Sequence, residues 1–271
     1  MTTTLPGFDQ RTATYDGVTR PVFSRGAGRA ILIVHEMPGI TPEVAQFGRR
    51  VADAGYFVAL PSLFGVPGRA LSSGYLLNQL AKTCIRKEFA AFSRHRSSPV
   101  TDWLRAMARD LHQTHGGPGV GFVGMCFTGN FALAMMAEPA VLAPVLSQPS
   151  MPLVISPSHA KALQISPEAL RVAQRRAKEQ GCGPIALRFT GDHLVPGARF
   201  DALRDAFGET IETIEIDSSA GNSHGIARTA HSVLTADLVD EAGHPTRQAL
   251  DRVLAMFAER LGVHEADPRA V

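Results

Sequence analysis

The residue with the clearest chemical potential is Cys126, which lies in the hexapeptide GMCFTG, residues 124–129. An apolar run, residues 120–123, precedes this hexapeptide, and a helix-like run, residues 131–137, follows it. A strand, a sharp turn with the cysteine at its tip and then a helix form the layout of a nucleophile elbow, with sulfur in place of the usual serine oxygen. A helix N-terminus favours the reactive thiolate, and its unpaired N–H groups can bind an oxyanion. The alternative is a buried structural cysteine, because free cysteine is among the most buried residue types.

A thiol nucleophile needs a base and an acid that orients the base, and the sequence offers Asp192 and His224 for these roles. Asp192 follows the apolar run 185–190, and His224 follows the run 211–217. Both therefore lie after predicted strand ends, where the sites of open parallel sheets form. Taken singly, a Gly-Asp pair is usually a turn and a loop histidine is usually solvated. Together, in the order nucleophile, acid, histidine, the three residues predict a catalytic triad.

Glu36 is a fourth candidate, in the loop that follows the apolar run 30–34. A carboxylate in that loop is suited to influence thiol ionisation or to accept the thiol proton. The alternative is a solvated loop carboxylate. The neighbouring His35 also suggests a zinc-protease motif, but no second histidine follows at the required spacing, so we expect no metal.

A parallel sheet is needed to bring these residues together, and the apolar pattern predicts one. Buried strands are predicted at residues 30–34, 56–60, 120–123, 141–146, 185–189 and 211–216. Helices are predicted at residues 42–54, around 103–111, at 167–180 between Ser166 and Gly181, and at 250–261 before Gly262. Weaker strand signals over residues 12–24 predict an antiparallel edge. Strands that alternate with helices predict the α/β class, with a mostly parallel central sheet and helices on both faces.

The length and composition fit one α/β domain over residues 1–271, with the irregular segment 62–100 as a candidate cap over the site. With 45% hydrophobic residues, the chain can bury a large core. The net charge of +2 is too small to indicate binding to nucleic acid or to a membrane. We therefore expect a small-molecule substrate as the partner, in a monomer or small homo-oligomer.

The cysteines indicate a reducing compartment. Cys84, Cys126 and Cys182 are too few and too scattered for a disulfide framework or a zinc site. Residues 1–10 lack the basic and apolar regions of a signal peptide, and no apolar run is long enough to span a membrane. We expect a cytoplasmic protein without a cofactor.

The sequence resembles the dienelactone hydrolase family of the α/β-hydrolase superfamily over residues 20–261. The strongest likenesses are VHEMPG at residues 34–39, GMCFTG at 124–129, the pair Gly191 and Asp192, and HGIAR at 224–228. The resemblance implies the α/β-hydrolase fold and a triad of Cys126, Asp192 and His224, with Glu36 in contact with the thiol. It also implies an oxyanion hole formed by the backbone N–H groups of Met37 and Phe127. Arg228, four residues after the proposed histidine, would bind a substrate carboxylate.

Two positions fit the family pattern less well. The second carboxylate-binding arginine of the family has no clear match; Arg86 is the candidate, and the alternative places it on a solvated basic face with Lys87, Arg94 and Arg96. The family elbow usually reads G-x-C-x-G-G, and Thr128 replaces the first of the two later glycines. Because the elbow packs tightly, we expect this β-branched side chain to affect the turn, and with it the substrate range more than the fold.

The resemblance implies hydrolysis of a lactone or activated ester of a small carboxylate-bearing substrate, of the carboxymethylenebutenolidase type found in aromatic compound degradation. A general esterase or thioesterase of the same fold is the nearest alternative. A non-catalytic binder of small acids, or a redox sensor that uses Cys126, is the alternative from another class. A complete triad argues against the sensor, which needs neither Asp192 nor His224.

Overall fold

The computed structural model describes residues 4–85, 99–151 and 156–262. The strands in these ranges are β1 (Asp9–Tyr15), β2 (Val18–Arg25), β3 (Ala30–Val34), β4 (Phe57–Pro61), β5 (Val120–Met125), β6 (Val141–Ser147), β7 (Ile185–Phe189) and β8 (Glu212–Ile216). The α-helices are α1 (Pro42–Asp53), α2 (Ser73–Ile85), α3 (Pro99–His115), α4 (Phe131–Met135), α5 (Pro157–Lys161), α6 (Pro167–Gln180), α7 (Gly197–Phe207) and α8 (Pro245–Leu261).

The strands form one mixed sheet in the order β1-β2-β4-β3-β5-β6-β7-β8 within the described ranges. The strands from β4 to β8 in that order pair in parallel. β1 pairs antiparallel with β2, and β2 pairs antiparallel with β4, as the weak strand signals near the N-terminus predicted. The predicted α/β-hydrolase fold class is therefore confirmed.

Helices cover both faces of the sheet and create two apolar cores. On one face, α3 contributes Trp103 and Leu104 to a core that also contains Phe122 and Phe131. On the other face, α1 and α8 pack through a separate set, which includes Phe47, Val51, Val253 and Phe257. Since β3 and β5 are buried along their whole length, both strands need apolar side chains on each face, which explains their unbroken apolar runs.

Capping residues fix the helix ends that the sequence predicted most accurately. The Ser166 hydroxyl accepts a hydrogen bond from the Ala169 N–H, and Gly181 ends α6 in the left-handed region at φ 64°. At α1, the Thr41 side chain accepts from the Val44 N–H and Pro42 occupies the first turn. These local signals depend on short sequence spacing alone, so they can be recognised without the fold.

Three of the described helices, α2, α5 and α7, were not predicted. α7 buries Phe200, Leu203 and Phe207 at helical spacing, but it is short and carries polar residues throughout. α2 lies within the segment predicted as irregular, and residues 86–98 lie outside the described ranges. The cap role of residues 62–100 stays a prediction. None of the described helices combines the length and apolar character needed to cross a membrane.

The topology brings candidate catalytic residues together at the carboxyl ends of the parallel strands. From β3 the chain moves to β4 on one side, and it later returns to β5 on the other side. β3 and β5 are therefore parallel neighbours, with Val34 paired to Gly124 at their carboxyl ends. Loops that leave such a switch point form a crevice in open α/β sheets, and both Met37 and Cys126 lie there.

Candidate active site

Cys126 lies at the tip of the sharp turn that the sequence predicted. β5 ends at Met125, a 3-10 helix follows over Cys126–Asn130, and α4 continues from it. The backbone of Cys126 is in the left-handed region at φ 55°, which is uncommon for a residue other than glycine. The turn is so tight that a Cβ at Gly124 would lie 2.3 Å from the Thr128 carbonyl oxygen. This turn points a half-buried thiol away from the end of the strand.

Thr128 replaces a family glycine and supports the turn through its hydroxyl. The side chain is fully buried, and Oγ1 accepts a hydrogen bond from the Met125 N–H at 3.0 Å. Oγ1 also lies 3.0 Å from the Val34 carbonyl, 3.1 Å from the His35 carbonyl and 2.9 Å from the Met125 carbonyl. A hydroxyl has one proton, so it donates to one of these oxygens at a time. The side chain thus connects the elbow to the loop after β3, and the left-handed tip is retained.

Asp192 lies after β7, as predicted, and its carboxylate contacts a histidine that sequence analysis did not select. Oδ2 of Asp192 is 2.6 Å from Nδ1 of His231, and Oδ1 accepts a hydrogen bond from the Leu194 N–H at 2.9 Å. Asp192 is buried, so the pair is largely shielded from water. A short, buried contact of this kind fixes the ring orientation and leaves Nε2 as the atom that can exchange a proton with the nucleophile.

The sequence predicted His224 as the triad histidine, but the structure brings His231, and not His224, to the Asp192 carboxylate. His224 is exposed, and its ring lies edge-on to His244 with centroids 5.4 Å apart. The Asn222 side chain accepts from the backbone N–H groups of His224 and Ile226, which closes the loop locally. The histidine that contacts Asp192 comes seven residues later, at His231.

His231 and Cys126 interact electrostatically. Burial alone would lower the pKa of His231, but the negative charges of the Cys126 thiolate and the Asp192 carboxylate raise it to about 11. Nε2 of His231 is buried, and the contact of the ring with the Cys126 side chain falls outside strict hydrogen-bond geometry. Catalytic hydrogen bonds are commonly long or misaligned before substrate binds. The raised pKa of His231 favours the imidazolium form of the ring beside the sulfur.

The sulfur of Cys126 has a second polar neighbour, Ser150, which follows β6. Sγ lies 3.0 Å from the Ser150 hydroxyl oxygen, and Ser150 is 3% exposed. The Ser150 N–H donates to the Cys126 carbonyl at 3.1 Å, so the two residues are connected through backbone and side chain. Sequence analysis missed this residue because nothing in the local sequence marks a serine 24 positions beyond the cysteine as its contact.

Glu36 is buried and contacts the segment that carries His231. Oε2 accepts hydrogen bonds from the Ser232 hydroxyl at 2.7 Å and the Gln148 amide at 3.0 Å, and Oε1 accepts from the Thr235 hydroxyl at 2.5 Å. Within the described ranges, neither oxygen makes a hydrogen bond to Cys126. The expected contact with the thiol is therefore not observed. The carboxylate instead joins the loop after β3 to the residues that follow His231.

The two residues expected to form the oxyanion hole lie in adjacent loops. Met37 follows β3 and Phe127 follows β5, and the Thr128 hydroxyl holds these loops together. The Met37 N–H has no hydrogen-bond partner among the described residues. His35 fixes the first loop, since its Nε2 accepts from the Leu63 N–H at 3.1 Å and its Nδ1 therefore donates to the Glu36 carbonyl at 3.0 Å. Burial lowers the pKa of His35 to about 4, so its ring is neutral and structural at pH 7.

Of the two arginines expected to bind a carboxylate, Arg228 lies in the described ranges. Arg228 is exposed and makes no ion pair within the described ranges. Its selection depended on counting four residues from His224; counting from His231, the same position is Thr235, whose hydroxyl contacts Glu36. Arg86 lies outside the described residues. The described ranges contain no cluster of three or more metal-ligating side chains.

The comparisons with known proteins agree with this fold. The sequence matches the model of the dienelactone hydrolase family over residues 18–261. A crystal structure of a proposed dienelactone hydrolase from Klebsiella pneumoniae has 18% identity and a TM-score of 0.64, covering 93% of this chain and 98% of that chain. A dienelactone hydrolase from Anabaena variabilis has 16% identity and a TM-score of 0.55, covering 94% and 99% of the two chains. A cold-adapted esterase from an Arctic intertidal metagenomic library has 13% identity and a TM-score of 0.57, covering 95% and 96%. No curated protein matches this chain.

Proposed function

The chain belongs to the dienelactone hydrolase family and is an ester or lactone hydrolase, and from this premise we propose that Cys126 is its nucleophile. The observation that carries the proposal is the 2.6 Å contact between Asp192 and His231, with the His231 ring beside the sulfur at the tip of the elbow. His231 is the proposed base, in place of His224, and Asp192 orients it. The expected Asp192 role is thus retained, and the histidine role moves seven positions along the chain.

In the proposed reaction, the Cys126 thiolate attacks the acyl carbon while the N–H groups of Met37 and Phe127 hold the developing oxyanion. The alkoxide or enolate then leaves, taking a proton from the His231 imidazolium, and a thioester remains on Cys126. Neutral His231 next removes a proton from water, which attacks the thioester. The sulfur departs as thiolate and the proton remains on His231, which restores the resting pair.

The nucleophile favours activated acyl groups. A thiolate is readily expelled from a tetrahedral intermediate, so an unactivated alkoxide leaving group allows the intermediate to revert. An enol lactone has a stabilised enolate as its leaving group, so its tetrahedral intermediate proceeds to the thioester. We propose activated lactones and esters as the substrate class, with dienelactone as the first compound to assay.

A neutral acyl substrate is the second candidate, and one observation favours it. Thr235 occupies the position four residues after His231, where the family places a carboxylate-binding arginine, and its hydroxyl donates to Glu36. A threonine offers no charge to a substrate carboxylate. A general esterase or thioesterase acting on neutral substrates fits this replacement. Hydrolysis of matched lactones with and without a carboxylate distinguishes the two substrate classes.

The test is steady-state hydrolysis of dienelactone and of p-nitrophenyl acetate by wild type, Cys126→Ala and Cys182→Ala. We expect Cys126→Ala to lose turnover on both substrates and Cys182→Ala to retain it, because Cys182 is buried after α6, away from the elbow. Mass spectrometry of the wild type during turnover should detect an acyl group on the Cys126 peptide. Full activity in Cys126→Ala would contradict the proposal. Rapid oxidation of Cys126 without turnover of esters, lactones or thioesters would instead favour a redox sensor.

A further inference from the structure

We propose that Ser150 is a further catalytic residue of this site, whose hydroxyl donates a hydrogen bond to the Cys126 sulfur and stabilises the thiolate. The proposal rests on the proposed role of Cys126 as nucleophile. Its geometric basis is the 3.0 Å separation of Oγ and Sγ, which is short for a hydrogen bond to sulfur. At 3% exposure, Ser150 has almost no access to water that would compete for this bond.

The direction of the hydrogen bond follows from the charges. A thiolate has lone pairs and no proton, so in the ion pair with His231 it only accepts. The serine hydroxyl has one proton and is therefore the donor. Besides its contact with His231, the sulfur therefore receives a hydrogen bond from the Ser150 hydroxyl.

Backbone contacts hold Ser150 in place. Its N–H donates to the Cys126 carbonyl at 3.1 Å, and its carbonyl accepts from the Asn130 side-chain amide at 2.7 Å. The same amide nitrogen donates to the Phe127 carbonyl at 3.1 Å. Asn130 therefore bridges the elbow and the segment after β6, and it fixes the distance over which the hydroxyl reaches the sulfur.

A buried arginine fixes the orientation of Asn130. Nη1 of Arg199 donates to Oδ1 of Asn130 at 2.9 Å, and Nη2 donates to the His159 carbonyl at 3.3 Å. A guanidinium only donates, so Oδ1 must face Arg199 and the amide nitrogen must face Ser150 and Phe127. Arg199 is 1% exposed and forms no ion pair within the described ranges. Burial lowers its pKa to about 10, so it keeps its charge at neutral pH. Arg199 and Asn130 are thus positioning residues for Ser150.

The hydroxyl has two opposite effects that can be measured separately. It stabilises the thiolate, which lowers the pH at which the sulfur ionises, and it makes the thiolate less nucleophilic. Removal of the hydroxyl should move the midpoint of the rate–pH profile up by about one pH unit, the size expected of a hydrogen bond to a charged group. On the high-pH plateau the variant should react about two- to threefold faster. Loss of packing alone would not raise the plateau.

The experiment measures iodoacetamide alkylation of the Cys126 peptide from pH 4 to pH 10 by mass spectrometry in wild type, Ser150→Ala and Ser150→Thr. We expect the raised midpoint and faster plateau in Ser150→Ala, and values close to wild type in Ser150→Thr, which keeps the hydroxyl. Ser24→Ala removes another buried hydroxyl, in β2, and should leave both values unchanged. Ser150→Gly replaces Ser150→Ala if the latter does not fold.

An unchanged midpoint and plateau in folded Ser150→Ala would overturn the proposal, as would equal shifts in Ser150→Ala and Ser24→Ala. Alkylation needs no turnover, so the result is independent of the proposed hydrolytic reaction. If Cys126→Ala keeps full hydrolytic activity, the nucleophile assignment fails, while the alkylation profile still reports the hydrogen bond. The two failures are therefore distinguishable.

Discussion

Replacement of His231 and His224 by alanine, one at a time, tests the central geometric assignment. His231 contacts the Asp192 carboxylate and lies beside the Cys126 sulfur, whereas His224 is exposed and contacts His244. The two variants remove the same atoms from the same residue type, so each is the matched control for the other. Only one of them should affect chemistry.

The expected loss of activity in His231→Ala follows from the proposed role of His231 as the base. General acid–base catalysis by a positioned side chain contributes about 10²- to 10⁴-fold to the rate. His231 also keeps the sulfur ionised through the paired charges, so we expect kcat/KM to fall at least about 10³-fold in His231→Ala. At about 1.36 kcal/mol for each tenfold change, this corresponds to about 4 kcal/mol of transition-state stabilisation. For His224→Ala we expect a change of less than about twofold.

The assay is hydrolysis of p-nitrophenyl acetate at pH 7, with the thermal midpoint of each variant measured in parallel to confirm folding. Alkylation of Cys126 by iodoacetamide at pH 6 supplies a second readout, because it should slow in His231→Ala and not in His224→Ala. A large loss in His224→Ala with retained activity in His231→Ala would refute the assignment. Equal losses of activity in both variants would mean that the two histidines act by supporting the folded structure of this loop.

Four further variants test other parts of the site. Thr128→Val removes the buried hydroxyl and leaves its partners unsatisfied. We therefore expect denaturant titration to show a loss of about 1–3 kcal/mol in unfolding free energy. An unchanged unfolding free energy would contradict the anchoring role of Thr128. Glu36→Gln places an amide among three donors and should lower kcat and stability, whereas exposed Glu209→Gln should change neither. Arg228→Ala should alter KM by less than about twofold for lactones with or without a carboxylate, and a selective rise for the carboxylate would restore its binding role. Burial lowers the pKa of His35 in the folded state to about 4, so the stabilising contribution of His35 is present above pH 6.5 and is lost as pH falls toward 4. Between pH 7 and pH 4, His35→Asn should therefore lose about 3 kcal/mol less unfolding free energy than the wild type loses.

The sequence predicted those parts of the fold that depend on local signals. The apolar runs at β3 and β7 and the capped helix α6 have the predicted limits, because burial on both faces and capping each leave a pattern within a few residues. The elbow was also predictable, since strand, tip and helix are contiguous. α7 was missed although its apolar residues have helical spacing, because a short polar helix gives a weak pattern.

The histidine could not be chosen from the sequence for a different reason. His224 and His231 both follow β8, and nothing in the local sequence tells which of the two contacts Asp192. The position of His231 depends on the hydrogen bond from the neighbouring Ser232 to Glu36, which joins segments 196 positions apart in the sequence. A histidine followed by glycine drew attention to the first position. The expected arginine was counted from His224 and was therefore placed at Arg228.

The hydrogen bonds of Glu36 decide where the thiol proton goes in the proposed mechanism. As a carboxylate, Glu36 accepts from Ser232, Thr235 and Gln148, which are all neutral donors and all buried. To reach the Cys126 sulfur it would have to give up at least one of these bonds, at a cost of about 1–3 kcal/mol for each bond to a charged group. His231 needs no such exchange, because it already lies beside the sulfur and its positive charge is balanced by Asp192. The proton of the thiol therefore has its lower-energy acceptor in His231, and Glu36 serves the reaction by holding the segment that carries that histidine.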